Sequence, residues 1–523
     1  MAHFRATYRL QLGGELEFAA AAELVPYLSE LGFSHLYLSP AFAARAGSTH
    51  GYDVIDPTRL ADALGGEQRF RALAAAVRAA GMGIVLDIVP NHMATDEANP
   101  YWSDERRRTQ FFDLDPETGR HRRFFDVDHL AGVRQEDPQV FAETHGLALR
   151  LVAERLVDGL RIDHPDGLLD PAGYLERLRD GGADHVWVEK ILHPGEQLRD
   201  WPVEGTVGYE FANDVCALFV DPAGEPALTD LWTELCGDAR PFGEWATDAK
   251  VEQARTTFAP EVEWLRRLWP EVEGLEQALA SLPVYRTYIR GLPAREDVRV
   301  LAEAGLTEWL AQAPRPFRER FQQLTPPIQA KGVEDTAFYR YARLLALCEV
   351  GGDPSRFAID VDAFHAGNAA RAARFPLHLL SSQTHDTKRS GDVRARIGAL
   401  AGIAAEWVAS VHAWRELCAP LRDGGAPDAV EEYTIFQTLV GAWPIEPDRL
   451  CAYMCKALRE AKRNTAWVEP DADWEGRVLG YCRGLYEHDP FRAAFEPFAA
   501  RVAVAGAARA TPDGLEADRP GGA

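Results

Sequence analysis

The sequence predicts an α/β fold, a TIM-type (β/α)8 barrel whose last strand is not evident and which carries a large all-helical insertion. The first observation is that short runs of apolar, β-branched and aromatic residues alternate with helix-like segments over residues 1–224. The second is that so many strand–helix repeats in one chain favour a closed barrel over an open, doubly wound sheet. The third is that from about residue 225 the apolar residues recur with helical spacing, interrupted at the prolines of "APRPF" and "LTPPIQ".

The predicted barrel elements follow one another in a regular order. Strands are predicted at 6–12, 34–40, 83–92, 159–164, 185–192 and 203–211, and the pattern resumes at 375–397 as a seventh strand. Helices are predicted near 17–31, 67–80, 138–157 and 171–180. Strands that alternate with helices in this way build a parallel sheet covered by helices.

These elements divide the chain into four predicted regions. Residues 1–224 are the first part of the barrel, with a shortened loop subdomain at about 93–137. Residues 225–374 are the helical insertion, and 375–505 are the end of the barrel with further helices. The Pro-, Gly- and Asp-rich tail, 506–523, is predicted to be disordered.

Charge and motifs restrict the kinds of ligand. The 523 residues carry 56 Lys and Arg against 80 Asp and Glu, a formal net charge of −24. This negative charge argues against nucleic-acid and anionic-membrane partners and favours a neutral or cationic ligand. The alternative is that the charge only keeps the protein soluble. No Gly-x-Gly-x-x-Gly or Gly-x-x-x-x-Gly-Lys-Ser/Thr motif follows a predicted strand, which argues against a nucleotide-binding protein.

The cysteines indicate a reducing compartment. All seven are scattered, no Cys-x-x-Cys pair occurs, and no His or further Cys completes a zinc set around Cys451 and Cys455, so no metal site is predicted. We expect buried, reduced thiols, which fits the cytoplasm. The N-terminus has no apolar core of signal-peptide length and no run of 18 apolar residues appears, so a cytoplasmic protein is expected.

Charged side chains gather where four of the predicted strands end. In a (β/α) barrel these carboxyl ends meet at one face, which is where the chemistry takes place. The four stretches are "DIVPNH", "GLRIDH", "VWVEK" and "SSQTHDTKR", and they supply Asp87, Asn91, His92, Arg161, Asp163, His164, Glu189, His385, Asp386, Lys388 and Arg389. We therefore expect these side chains to face a shared pocket and not the core between strands and helices.

Two of the carboxylates are predicted to differ in protonation. Arg161 and Asp163 are two residues apart and point to the same side of their strand, and a guanidinium beside a carboxylate lowers its pKa and keeps it ionised. Glu189 follows the apolar run "HVWV", and burial raises the pKa of a carboxyl group. One charged and one neutral carboxyl group is what retaining glycoside hydrolysis requires. A single Asp at a strand end is more often a helix cap or turn residue. The prediction therefore rests on the occurrence of all these residues together, in this order along the chain.

The four stretches resemble the four ordered sequence regions of the alpha-amylase family of glycoside hydrolases and transglycosidases. Longer stretches, from about residue 6 to 470, resemble the maltooligosyltrehalose synthases within that family. They are "YRLQL", "SHLYLSPAFAARAGSTHGYDVIDPTRL", "GLRIDHPDGLLDP", "VWVEKIL", "WPVEGTVGYEF", "AKGVEDTAFYRY", "THDTKRSGDVRAR", "QTLVGAWP" and "KALREAK".

The resemblance implies an isomerase that converts the reducing-end linkage of a maltooligosaccharide from α-1,4 to α,α-1,1, giving maltooligosyl trehalose without a bound cofactor. It implies that Asp163 is the nucleophile, Glu189 the acid and base, and Asp386 the stabiliser of the oxocarbenium-like transition state. The substrate-binding residues that it implies are His50, Tyr52, Asp87, His92, Arg161, His164, His385 and Lys388. By the same analogy, a maltooligosyltrehalose trehalohydrolase would be the pathway neighbour.

Isomerisation instead of hydrolysis requires that the released glucose be held while water is kept out. The helical insertion and "AKGVEDTAFYRY" are predicted to close over the pocket, with Lys331, Glu334, Asp335 and Tyr339 holding the glucose. The alternative is a salt-bridged helix face, because Lys331 and Asp335 are four residues apart.

Two departures from the resemblance leave alternatives open. Only about 30 residues, 93–121, join His92 to "RRFFDVDHLAGVR", where the synthases carry a longer segment that walls the pocket. The stretch that forms the last barrel strand, and the β-domain after it, are not found, which would leave an open barrel edge. The chain is then a truncated or frameshifted synthase, a barrel that a partner completes, or one that closes differently. An alpha-glucan hydrolase or transglycosidase, and an inactive glucan-binding remnant, remain alternative functions.

Overall fold

The computed structural model describes residues 3–510, and its largest sheet is parallel. The strands are β1 (Thr7–Leu10), β2 (His35–Leu38), β3 (Phe42–Ala44), β4 (Val54–Leu60), β5 (Gly83–Ile88), β6 (His92–Ala94), β7 (Arg123–Phe124), β8 (Val127–Gly132), β9 (Gly159–Ile162), β10 (Val186–Val188) and β11 (Gly205–Thr206). Six of them form one parallel sheet in the order β1-β2-β5-β9-β10-β11. The inner strands β2, β5, β9 and β10 are buried along their whole length, as strands covered by helices must be.

Helices connect the strands of this sheet. The helices of the first half are α1 (Phe18–Glu30), α2 (Gly66–Ala79), α3 (Pro100–Ser103), α4 (Glu105–Phe111), α5 (Pro138–Ala153), α6 (Pro171–Asp180) and α7 (Tyr209–Leu218). α3, α5 and α6 each begin at the proline of an Asn-Pro or Asp-Pro pair, in which the Asn or Asp side chain accepts hydrogen bonds from backbone N–H groups of the first turn. The proline lacks the N–H that a first-turn position leaves unpaired, so these pairs fix where the helices begin.

In the second half of the chain, the regular elements among the described residues are all helices. Its helices are α8 (Glu225–Cys236), α9 (Phe242–Arg255), α10 (Ala259–Leu268), α11 (Leu275–Ser281), α12 (Arg295–Glu303), α13 (Thr307–Gln312), α14 (Arg315–Gln329), α15 (Phe338–Arg340), α16 (Val361–Arg374), α17 (Gly391–Ala399), α18 (Ala404–Leu417), α19 (Ala429–Ala442), α20 (Pro447–Ala461), α21 (Ala472–Glu487) and α22 (Asp489–Ala510). A π-helix, Ala330–Ala337, joins α14 to α15. The largest hydrophobic core lies among these helices, and a second core lies between the barrel sheet and its helices.

The predicted seventh strand at 375–397 is not a regular strand, and this part of the prediction was wrong. Residues 375–390 form turns and loops before α17 begins. The Leu379 N–H donates to the Thr206 carbonyl of β11 at 3.3 Å, and the His378 ring accepts from the Thr206 N–H instead of a ladder partner. Among residues 3–510 no strand lies on the outer side of this segment to hold it extended.

The structure describes only the first part of the tail that was predicted to be disordered. α22 extends to Ala510, so residues 506–510 are helical, whereas the remainder of the predicted tail lies outside the described residues.

One continuous stretch, Gly391–Leu417, has the length and mean hydropathy of a membrane span. Half of it is buried inside the protein, and Trp407, Val411 and Trp414 are in its largest core, which is typical of a core helix.

A small antiparallel sheet stands at the carboxyl end of the barrel. It has the order β6-β8-β7 and is built from the stretch between Pro90 and α5. Asp113 in this subdomain accepts from Arg122 at 3.0 Å and from Arg320 of α14 at 2.5 Å. These ion pairs attach the subdomain to the helical half and so fix its position beside the barrel.

Candidate active site

The carboxyl ends of β5, β9 and β10 bring the predicted charged residues together. Asp87 and Arg161 are paired positions of neighbouring strands. The Asp163 N–H donates to the Ile88 carbonyl at 3.0 Å, and the Glu189 N–H donates to the Ile162 carbonyl at 2.8 Å. The parallel ladder therefore sets these side chains at one edge of the sheet.

Arg161 joins two carboxylates in the interior. Its Nη1 donates to Asp87 Oδ1 at 2.9 Å and to Asp163 Oδ1 at 2.6 Å, and Arg161 is only 1% exposed. Burial nevertheless raises the pKa of Asp163 to about 7, and the charges of Asp87 and Asp386 act in the same direction. The expectation that Arg161 holds the pKa of Asp163 low was wrong in its net direction, because desolvation outweighs the guanidinium.

Glu189 is the protonated member of the pair. Burial raises the pKa of Glu189 well above its ordinary range, and the negative charges of Asp163 and Asp386 add to the effect. Its Oε2 accepts from the His164 backbone N–H at 3.0 Å. Asp163 has a guanidinium partner at 2.6 Å, whereas the hydrogen-bond donor to Glu189 within residues 3–510 is this neutral N–H. The surroundings therefore keep a proton on Glu189 more readily than on Asp163.

The loop that carries Asp386 is fixed by residues distant in sequence. Asp386 is about half exposed, and its Oδ2 accepts from the Tyr209 hydroxyl at 3.0 Å and lies 3.2 Å from His385 Nε2. The carboxylate of Glu349 accepts from the backbone N–H groups of Lys388 at 2.7 Å and Arg389 at 3.1 Å. The sequence analysis missed Tyr209 and Glu349.

Tyr52 links this loop to the barrel. Its hydroxyl donates to Asp87 Oδ2 at 2.7 Å and lies 2.7 Å from His385 Nε2. The Tyr52 and His385 rings are stacked at 5.7 Å, and burial lowers the pKa of His385 to about 4. The more exposed His50 ring lies 6.1 Å from that of Tyr52. Neutral His385 thus offers the site a hydrogen-bonding group without a charge.

An aromatic wall stands beside the other two predicted histidines. The His92 ring stacks on Phe124 at 4.0 Å, and the His164 ring packs edge-on against Phe125 at 5.1 Å. Burial lowers the pKa of His92 to about 3 and that of His164 to about 4. Asn91 lies behind them, where its Oδ1 accepts from Arg122 at 3.2 Å. The signal for this wall was the "RRFFDVDH" stretch, whose two Phe residues the sequence analysis did not use.

The "AKGVEDTAFYRY" segment forms a charged cluster next to the Asp386 loop. Asp335 lies 3.0 Å from Lys388 Nζ and 3.3 Å from Lys331 Nζ, so the predicted i, i+4 pair exists but is shared with the loop. The Lys388 ammonium also lies 5.4 Å from the Tyr339 ring centre. The two lysines lower the pKa of Asp335 to about 2.

Glu334 points to a different partner from Asp335. It accepts from the Tyr285 hydroxyl and from the Gly351 N–H, and burial raises the pKa of Glu334 to about 7. Burial raises the pKa of the Tyr285 hydroxyl well above its ordinary value, and the neighbouring Glu334 carboxyl group adds to the effect. Within residues 3–510 no three His, Cys, Asp or Glu side chains are grouped so that they could hold a metal ion.

Comparisons with known proteins agree with this architecture. The family model described as "Alpha amylase, catalytic domain" matches residues 18–146. A Mycobacterium tuberculosis protein assigned as a maltooligosyl trehalose synthase is 35% identical over 91% of this chain and 75% of its own length. The structure of maltooligosyltrehalose synthase from Arthrobacter ramosus is 37% identical, with a TM-score of 0.90 over 97% of this chain and 78% of that chain. A hypothetical maltooligosyl trehalose synthase from Sulfolobus tokodaii is 31% identical, with a TM-score of 0.87 over 97% and 80%.

Proposed function

The chain belongs to the maltooligosyltrehalose synthase family, whose catalytic domain is a TIM-type barrel, and we propose that Asp163, Glu189 and Asp386 carry out its reaction. The enzyme is an intramolecular glucosylmutase that converts the reducing-end α-1,4 linkage of a maltooligosaccharide to α,α-1,1, in trehalose biosynthesis. The observation that carries the assignment of roles is the unequal environment of two neighbouring carboxyl groups. Asp163 is bonded to Arg161, whereas buried Glu189 has a neutral donor.

In the first step, an Asp163 oxygen attacks the anomeric carbon of the penultimate glucose unit. The bond from that carbon to the glycosidic oxygen breaks, and Glu189 gives its proton to the departing oxygen. Asp163 is then esterified to the shortened glucan, free glucose lies in the pocket, and Glu189 is ionised. Asp386 is negative beside the reacting carbon and stabilises the positive charge that develops there.

In the second step, the released glucose is both leaving group and nucleophile. It turns so that its own anomeric hydroxyl attacks the esterified carbon, while Glu189 accepts the hydroxyl proton and the Asp163 ester bond breaks. Two displacements at the same carbon retain its α configuration, and attack through the anomeric oxygen creates the α,α-1,1 linkage. Attack by water instead would give glucose and a shorter reducing glucan.

The remaining predicted residues hold the two sugars. Tyr52, His92 and His385 line one side of the pocket, where the Tyr52 hydroxyl donates to Asp87. Their uncharged rings are suited to hydrogen bonds with sugar hydroxyls. His50 and His164 extend that surface, with His164 against the Phe124–Phe125 wall. Lys331, Lys388 and Asp335 present charged donors and acceptors for the departing glucose, with Glu334 and Tyr339 beside them.

Cellular context is part of the proposal. A non-reducing maltooligosyl trehalose calls for an enzyme that releases trehalose from it, and we place a maltooligosyltrehalose trehalohydrolase next in the pathway. All seven cysteines are free thiols and four of them are buried, which supports a reducing cytoplasm.

Product analysis with maltopentaose tests the function. We expect reducing ends to disappear while the mass of the sugar stays unchanged, and Asp163→Asn to abolish this. Asp448→Asn, at a side chain that is 95% exposed, is the matched control and should keep the activity. New reducing ends with the wild-type enzyme would mean hydrolysis, and an active Asp163→Asn enzyme would remove Asp163 from the nucleophile role.

A further inference from the structure

A polar cleft lies against α7, apart from the catalytic pocket. It has a volume of about 290 Å³ and is formed by the loop after β10, α7, the segment 346–356 and α16. None of the proposed catalytic or sugar-binding residues lines it. We call it the α7–α16 pocket, and its lining indicates what kind of ligand it fits.

An ion-pair triad forms part of the wall of the α7–α16 pocket. Asp214 of α7 accepts from Arg356 at 2.6 Å and from Arg371 of α16 at 2.9 Å. All three side chains are mostly buried, so these bonds fix their positions. Within residues 3–510 the Arg356 guanidinium donates from Nη2 alone, so its other N–H groups are available to a ligand.

Acceptor groups lie on the same lining as these donors. Asn213 Nδ2 donates to the Val350 carbonyl at 2.8 Å, which sets the orientation of the amide, and no donor among residues 3–510 bonds to its Oδ1. Asp353 Oδ1 accepts from the Ser355 N–H at 2.8 Å, and its Oδ2 has no donor within the described chain. The pocket therefore offers donors and acceptors together, which suits hydroxyl groups because a hydroxyl both donates and accepts.

Apolar groups complete the lining of the pocket. They are Leu192, Pro194, Ala217, Ala346 and Leu347. Gly367 of α16 adds room, because a Cβ atom there would lie 3.6 Å from both the Arg371 guanidinium and the Asp214 carboxylate. A lining of apolar side chains with a few polar groups suits a sugar ring, whose hydroxyls surround its C–H faces.

Charge and size restrict the ligand to a small neutral molecule. Two guanidinium groups of the lining face four carboxyl groups, those of Glu196, Glu210, Asp214 and Asp353. This excess of negative charge disfavours an anion. Small-molecule sites occupy roughly 300–1,000 Å³, so a cleft of about 290 Å³ is at the lower limit.

We propose that the α7–α16 pocket binds a monosaccharide, or another neutral polyol of that size, and that its occupation acts on the loop that carries Asp386. α7 begins at Tyr209, whose hydroxyl donates to Asp386 at 3.0 Å, and the segment 346–356 contains Glu349, which accepts from the Lys388 N–H at 2.7 Å. A sugar bonded to both walls holds these two supports of the loop together, so binding should change kcat more than KM. This effect rests on the proposed role of Asp386, whereas binding itself does not and is measurable without turnover.

Hydrogen exchange with D-glucose as the probe tests binding. Glucose is chosen because it is the monosaccharide that attack by water on the Asp163 ester would leave in solution. At about 50 mM it should slow exchange about threefold or more in peptides that cover 192–196 and 350–356. Unchanged exchange in both peptides would overturn the proposal. Slowing by inorganic phosphate but not by glucose would also overturn it, because the pocket would then be an anion site.

Variants on α16 separate this pocket from the catalytic one. Gly367→Leu fills the cleft and should abolish the slowing of exchange by glucose. Ala369→Leu enlarges an exposed side chain of the same helix that does not line the cleft, and should keep the slowing. Ala363→Leu, at an exposed position that does line the cleft, repeats the filling test without a buried substitution. Melting temperatures establish that the variants are folded, and equal slowing in wild type and both filled variants would refute the site.

Initial rates with maltopentaose test the effect on catalysis. Glucose in the catalytic pocket competes with the substrate and should raise KM in wild type and variants alike. Glucose in the α7–α16 pocket should change kcat about twofold or more in the wild type and Ala369→Leu, but not in Gly367→Leu. A kcat that is the same with and without glucose, while exchange in 192–196 is slowed, would refute the effect on the Asp386 loop.

Discussion

Removing the charge of Arg161 tests whether that guanidinium makes Asp163 a usable nucleophile. Only ionised Asp163 attacks, so kcat/KM should rise with pH through the pKa of Asp163, about 7, and fall again at higher pH as Glu189 loses its proton. In Arg161→Met the contact at 2.6 Å disappears while burial persists. We therefore expect the acidic limb of the profile to move to higher pH.

The size of the effect follows from the protonation equilibrium. An adjacent arginine lowers the pKa of an aspartate by about 1–3 units, so its loss should raise that of Asp163 by a similar amount. At pH 7 the ionised fraction would fall from about one half to between about 10% and 0.1%, and kcat/KM would fall about 5- to 500-fold. Part of the loss should be recovered at alkaline pH, which a simple collapse of the site would not permit.

The assay is the loss of reducing ends from maltopentaose between pH 5 and 9.5. Arg161→Lys is the control, because it keeps a positive charge near Asp163 and Asp87 and should leave the acidic limb close to that of the wild type. Removing one partner of a buried ion pair costs about 3–5 kcal/mol, so melting curves must accompany every profile. An acidic limb at the same pH in Arg161→Met and wild type, with both proteins folded, would refute the reasoning.

Three further predictions concern the loop and the helical core. Tyr209→Phe removes the donor at 3.0 Å from Asp386 and should lower kcat about tenfold with little change in melting temperature, measured against maltopentaose. Asp386→Asn should lower kcat by about 10² or more, yet leave the unfolding midpoint in urea unchanged because the side chain is 47% exposed; an unaffected rate would exclude its transition-state role. Trp414→Ala in the buried helical core should cost about 3–5 kcal/mol of unfolding free energy by urea titration, whereas Trp467→Ala, at a half-exposed side chain, should cost far less; equal losses would contradict the assigned burial.

Local patterns predicted the first half of the barrel well because each signal lies within a few residues. The Asp-Pro pair at 170–171 begins α6 as expected, and "GLRIDH" ends a strand with its charges at the sheet edge. The segment 375–390 failed for the opposite reason. Its sequence is strand-like, but strand formation depends on a neighbour on each side, and sequence spacing does not report whether that neighbour is present.

The site was predictable where side chains follow strands and not where distant segments meet. Glu349 accepts from the Lys388 backbone across 39 residues, and Tyr209 reaches Asp386 across 177, so neither belongs to a local motif. The raised pKa of Asp163 was not predicted, because adjacency to Arg161 is visible in the sequence whereas burial of the carboxyl group is not. Desolvation depends on the helical half that covers the pocket, and that covering is a property of the tertiary fold.

The choice between isomerisation and hydrolysis is a competition for one ester bond at Asp163. Water competes at roughly 50 M, whereas a well-oriented intramolecular nucleophile acts with an effective molarity of about 10⁵ M or more. Released glucose therefore reacts much faster than water only while its anomeric oxygen stays aligned with the ester carbon. We expect changes in the cluster of Lys331, Lys388 and Asp335 to disturb that alignment first.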